Sequence, residues 1–155
     1  MSLQGPILIV ADGSAGDLAQ SFAGAGAFPV IEAAWSEAQT ALVEIKPSAV
    51  VAREPESAEI EPAQAFARQL NKAAPLVPLL VRLREDAASA LPDALTIAED
   101  VPVERLLGRV SGLLRLRALH ATVLGRARTL KSERNIVAEL PAGDPLDDAT
   151  VLLIG

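Results

Sequence analysis

The sequence predicts an α/β fold, a doubly wound five-stranded parallel sheet with an extended C-terminal helix. Three observations carry this expectation. Short aliphatic runs alternate with segments of helical period over the first hundred residues. Half of the 155 residues are hydrophobic but only 3% are aromatic, a composition suited to aliphatic strands buried on both faces. Residues 103–134 contain no proline, and at 1.5 Å per residue they make a helix of about 48 Å, longer than a small domain needs.

The elements follow in order. Pro6–Val10 is a continuous apolar run closed by Ala11-Asp12-Gly13-Ser14, which reads as a buried strand and a helix start capped by Asp12 or Ser14. Leu18 and Phe22 continue a helical spacing until Gly24 and Gly26 break it. Pro29–Ala34 reads as the second strand. Ser36 is placed as the N-cap of a helix marked by Ala38, Leu42 and Ile45, which stops before Pro47. Ala49–Ala52 is the third strand, ending at Arg53-Glu54-Pro55, and a helix carrying Phe66 and Leu70 begins near Pro62. Leu76–Val81 is read as strand four, although Pro78 inside it removes a ladder donor. A weak helix over Glu85–Leu91 and a fifth strand over Ala94–Ala98 complete the set. Trp35, at the end of strand two, is read as a packing residue.

Composition excludes several function classes. The chain has no cysteine and one histidine, so disulfides, thiolate sites and the common zinc sites are excluded, and no metal or other cofactor is expected. No apolar run approaches the roughly 20 residues that span a bilayer, and the amino terminus lacks the order of a signal peptide, so a cytoplasmic protein without a membrane partner is expected. A phosphate-loop reading of Gly13-Ser14-Ala15-Gly16 is weak, because no Lys-Ser/Thr follows. With a single histidine far along the chain, no nucleophile–base–orienter set can be assembled, and an enzyme is not expected.

Charge is segregated. Residues 1–104 hold six Lys/Arg against fifteen Asp/Glu, whereas residues 105–134 hold eight against one. The basic segment carries Leu116, Leu119, Val123 and Leu130 at three-, four- and seven-residue spacings, with Arg115, Arg117, Arg126, Arg128 and Lys131 around them. A stripe this narrow, beyond the sheet, calls for a partner helix, and a homodimer with contacts through the last strand and the long final helix is expected. Phosphate binding by the arginines is the competing reading. No turn and second helix accompany them, and aromatics for stacking are missing, so no nucleic-acid partner is expected. His120, between Leu119 and Ala121, has no acidic neighbour and is read as a solvated or interface side chain. Residues 137–148 have the composition of a linker, and 149–155 repeat the pattern of Pro6–Gly13, which reads as the first strand of a truncated second domain. The division is therefore 1–118 for the globular domain, 119–136 for the extension of the last helix, 137–148 for the linker and 149–155 for the new strand.

Ile7-Leu8-Ile9-Val10-Ala11-Asp12, Lys46-Pro47-Ser48-Ala49-Val50-Val51-Ala52-Arg53 and Glu99-Asp100-Val101-Pro102-Val103-Glu104-Arg105-Leu106, in this element order, resemble the receiver domain of response regulators. The resemblance covers residues 6 to about 118 and implies a flavodoxin-like (CheY-like) fold. In that family an acid pair and an acceptor aspartate hold Mg²⁺, and a hydroxyl and a lysine complete the phosphoryl site. Carried over, the positions are Ala11 and Asp12 for the acid pair and Arg53 for the acceptor. Leu80 or Val81 stands in place of the hydroxyl, and Glu99 in place of the lysine. Only Asp12 matches. The resemblance thus implies a pseudo-receiver that takes no phosphoryl group. Arg53 either bridges Asp12 and Glu99, locking the site without metal, or points into water. Glu54, next in sequence, lacks the partners an acceptor needs. The long helix, linker and second strand-one resemble PleD-type receiver–receiver–GGDEF diguanylate cyclases. That implies regulation, through homodimerisation, of an output domain of the same full-length chain in cyclic-di-GMP signalling. The alternative is a small-molecule or anion-binding module using the strand-end cleft.

Overall fold

Aliphatic strands that do not alternate with polar residues need cover on both faces, and the helices supply it. The structure, a computed structural model, describes residues 4–13, 15–84, 89–91 and 93–134. Its elements are β1 (Gln4–Val10), α1 (Gly16–Gly24), β2 (Phe28–Ala33), α2 (Trp35–Ile45), β3 (Ala49–Arg53), a 3₁₀ turn (Ser57–Glu59), α3 (Ile60–Ala73), β4 (Leu79–Leu83), β5 (Leu95–Ala98) and α4 (Val103–Arg134). The strands form one parallel sheet in the order β2-β1-β3-β4-β5. The α/β, five-stranded parallel expectation is met.

The chain divides into two units, Met1–Ala118 and Leu119–Gly155. The first contains the sheet and two apolar cores. On one face Leu8, Val10, Val50, Ala52, Leu79 and Val81 pack with Trp35, Leu42, Phe66 and Leu70 of α2 and α3. On the other, Ile7, Ile9, Ala49, Val51, Leu80 and Ile97 pack with Leu18 and Phe22 of α1 and Leu106 and Val110 of α4. The period-two alternation of strand side chains makes this division. Trp35 is buried edge-on against Phe66, with ring centroids 5.9 Å apart and planes at 72°, as a packing residue would be. In the second unit the described residues are the remainder of α4.

Several expectations need correction. Strand four runs from Leu79 to Leu83, so Pro78 precedes it; the Pro78 carbonyl accepts from Val50 N at 2.9 Å, which needs no donor from proline. Helix α2 starts at Trp35 with Ala34 as N-cap, two residues ahead of Ser36, and no side chain caps it. Helix α1 starts at Gly16 without a side-chain cap, and the Asp12 carboxylate is engaged elsewhere. Ser14 lies outside the described residues. Of the helix expected over Glu85–Leu91, residues 85–88 lie outside the described residues and 89–91 are not helical. Instead Leu91 inserts into the core on the α2/α3 face, and Gln64 Nε2 donates to Ala90 O at 3.1 Å. The expected linker and second strand, 137–155, also lie outside the described residues.

Two backbone positions show why local chemistry fits. Gly5 has φ +100°, and a Cβ there would stand 2.0 Å from Ser48 Oγ, where β1 meets the start of β3. Lys46 ends α2 in the left-handed region at φ 51°, its N–H bonded to Leu42 O. Among the described residues no helix is long and apolar enough to cross a membrane.

Phe66 is fully buried at the centre of one core. Phe66→Ala is therefore expected to lower unfolding free energy by about 3–5 kcal/mol, read from urea denaturation of the two proteins.

Candidate functional site at the strand ends

In a parallel α/β sheet the carboxyl ends of the strands converge on one edge, where ligands and chemistry are placed. Here β3 and β4 are paired so that Arg53 stands beside Arg82, one row beyond Ala52 and Val81. Val10 pairs with Ala52, so Ala11 enters the same row as Arg53. The alternation that places Val51 and Leu80 on the α1/α4 face also places Arg53 and Arg82 there. Two guanidinium side chains therefore stand next to each other at the strand ends.

Each is partnered differently. Arg53 Nη2 donates to both carboxylate oxygens of Asp17 at 2.8 Å. Asp17 lies in the first turn of α1, where unpaired backbone N–H groups favour an acid. The pair is solvent-facing on the Asp17 side, which is 66% exposed against 31% for Arg53. Arg82 is only 8% exposed, and its Nη2 donates to two backbone carbonyls, Glu99 O and Val101 O, the latter at 3.4 Å. Both bonds fall on the turn between β5 and α4. Among the described residues no carboxylate pairs with Arg82, and the Nε atoms of both arginines are buried without a partner.

The acids around them are committed elsewhere. Asp12 Oδ2 accepts from Glu56 N at 2.9 Å, pinning the loop after β3. Glu54 Oε1 accepts from Ala90 N at 3.0 Å, and Glu54 N donates to Arg82 O at 3.1 Å. Glu99 Oε2 stands 4.0 Å from Arg84 Nε, both well exposed. Among the described residues no three His, Cys, Asp or Glu side chains converge as a divalent cation would need. The Mg²⁺ that the resemblance would bring does not fit these side chains, because the acceptor position holds a cation of its own.

The expected site residues are thus only partly brought together. Arg53 neither bridges Asp12 and Glu99 nor hangs free in water; its carboxylate partner is Asp17. Val81 is a correction: it is fully buried, one row below Arg53 and on the opposite, α2/α3 face. Ala11 is packed in the core on the α1/α4 face. Arg82 and Asp17 were missed. Arg82 was legible as a charge within an aliphatic strand once the strand was shifted past Pro78. Asp17 was legible as the acid of a first helical turn.

A shallow groove of about 170 Å³ lies at the opposite, amino-terminal end of the sheet, lined by Leu42, Val43, Pro47, Ala73, Val77 and Arg117. Arg117 Nη1 donates there to Ser48 O at 3.3 Å. Along α4, Leu119 and Val123 are 64% and 55% exposed, and Leu116 and Leu130 are also exposed.

No protein-family model and no curated protein sequence matches the chain. Solved structures do. A response regulator receiver protein from Sinorhizobium medicae is similar with a TM-score of 0.56 and 20% identity, over 75% of this chain and 99% of that one. A CheY-like protein (tadZ) from Pseudomonas aeruginosa is similar at 0.53 and 16%, over 70% and 98%. NtrX from Brucella abortus, solved with ATP, is similar at 0.64 and 18%, over 78% of this chain but only 29% of NtrX. Together with the strand order, these likenesses establish a flavodoxin-like fold of the receiver kind.

An exposed ion pair contributes little, because water competes for both partners. A double-mutant cycle on Arg53→Met and Asp17→Asn, followed by chemical denaturation, is expected to give a coupling of about 0.2–1 kcal/mol that shrinks in high salt.

Proposed function

We propose that this chain is a signalling domain of receiver type that works without aspartyl phosphorylation and is not an enzyme. It regulates an output domain of its own full-length chain through homodimer contacts along α4. The output domain we assign is a diguanylate cyclase of PleD type, which places the protein in cyclic-di-GMP signalling in the cytoplasm.

The single observation that carries the first part is Arg53, at the end of β3 and bonded to Asp17. A guanidinium that stays protonated offers no nucleophile for phosphoryl transfer and repels a divalent cation. The receiver-like neighbours support a signalling role. The exposed stripe on α4 supports self-association: Leu116, Leu119, Val123 and Leu130 are too regularly spaced for a solvated face. The diguanylate cyclase rests on the sequence resemblance of the helix, linker and following strand.

Incubation with acetyl phosphate and Mg²⁺ is expected to leave the intact mass unchanged. A phosphorylated species lost on mild base treatment would defeat the pseudo-receiver reading. Light scattering of the whole chain is expected to give twice 16.1 kDa, and a chain ending at Ala118, the boundary of the first compact unit, the mass of a monomer. Leu119→Glu with Val123→Glu in the whole chain is expected to do the same. A monomer for the unmodified chain would remove the dimer from the mechanism.

A further inference from the structure

Arg82 is a buried cation whose only partners among the described residues are main-chain oxygens, and that choice of partners has a mechanical consequence. Burying a guanidinium is costly unless its donors are satisfied, and with Arg82 Nε buried without a partner the two bonds from Nη2 are what hold the side chain at this depth. Arg82 Nη2 makes its bonds to Glu99 O and Val101 O, on either side of Asp100 in the turn that leads from β5 into α4. The same turn is held by Glu99 N donating to Leu83 O at 2.8 Å and Val101 N to Ala98 O at 3.2 Å. Helix α4 then opens with Arg105 N and Leu106 N both donating to Pro102 O, at 3.0 and 3.3 Å. One side chain from the sheet thus bonds the two residues that bracket the last turn before the helix.

We propose that Arg82 is the positioning residue for α4. Its guanidinium clamps the β5–α4 turn to β4 and fixes where the helix enters and which side chains it turns outward. The clamp is tied back into the sheet. Glu54 N donates to Arg82 O, and the residue before Glu54 is Arg53, held to α1 through Asp17. The carboxylate of Glu54 in turn holds Ala90 N in the segment between β4 and β5. Strand ends β3 and β4, the segment after β4 and the start of α4 are therefore joined by one run of hydrogen bonds, and Arg82 is its link to the helix. A neutral side chain of the same length could fill the volume but could not bond both carbonyls. A lysine brings a charge and donors on a flexible stem, without the planar fork.

The importance of this clamp for signalling rests on the dimer reading above, but its existence does not. Hydrogen exchange of the whole chain, read by NMR, separates the two. With Arg82→Met, which keeps the aliphatic stem and removes the donors, the amides of Glu99, Val101, Arg105 and Leu106 are expected to exchange roughly tenfold faster or more, while those of β1 and α3 keep their protection. Arg82→Lys is expected to recover part of that protection. Unchanged exchange at these four amides in the methionine variant would overturn the clamp. So would an acceleration spread evenly over the sheet, which is a general loss of stability. If Arg82→Met does not fold, the lysine variant alone decides, since a clamp requires local acceleration there too. Light scattering of the same variants reads the dimer. A monomeric parent with locally accelerated exchange would retain the clamp and discard the dimer.

Discussion

A guanidinium cannot give up its charge to suit its surroundings, so a strand end that carries one must be built around acceptors. Two adjacent strands carry one each here, in the same row and on the same face. That constraint shapes the whole carboxyl edge of the sheet. Arg53, nearer the rim, takes the carboxylate of Asp17. Arg82, deeper, takes backbone carbonyls, which are fixed in place by the turn they belong to. The acids Asp12 and Glu54 are free to bind backbone amides and do so. In place of a cluster of carboxylates waiting for a cation, the edge is mostly paired internally, with Arg53 Nε, Arg82 Nε and Glu54 Oε2 buried without a partner.

The rest of the domain supplies the rigidity that this pairing needs. Strands β1, β3 and β4 are buried on both faces, and each face has its own aliphatic core. Between β4 and β5, Leu91 enters the core on the α2/α3 face. Strand β5, last in the sheet order, is an edge strand with mostly exposed side chains, and Arg109 Nη1 from α4 donates to its Thr96 O at 3.3 Å. An edge strand blunted in this way is a poor template for strand addition. The proposed association through the exposed helix then has little competition from the β5 edge.

The fold was legible because it is written in patterns that do not depend on distant residues. Aliphatic runs of four or five and helices of regular period gave the element order. The proline-free stretch gave α4 almost to the residue. The site was less legible. Strand four was expected to end at Val81 but runs on to Leu83, which left Arg82 outside the expected strand. Arg82 therefore went unnoticed, although it is the only charge within that aliphatic run. Asp17 was missed for a different reason. Nothing local says that the first turn of α1 passes within 2.8 Å of the end of β3; only the order in which strands assemble brings residues 36 apart into contact.

Helix α4 unites the two readings of this chain, and its charge sets the terms on which it can pair. Residues 105–134 carry eight basic side chains and one acid, so two such helices side by side repel one another. At the 8–10 Å separation of packed helices, physiological salt with a screening length of about 8 Å removes only part of that repulsion. The attraction comes from a stripe of Leu116, Leu119, Val123 and Leu130, interrupted at the next step of its spacing by Arg126. Each such side chain contributes about 1.5–3 kcal/mol when fully buried, against an association cost of about 4–15 kcal/mol before any charge is counted. The terms are of similar size, so the balance is set by how well the stripes meet. On the proposal made above, the turn held by Arg82 sets which side chains α4 turns outward, and so bears on how the stripes meet. In this chain, a fixed cation at the strand end would thus govern an assembly whose opposing terms nearly cancel.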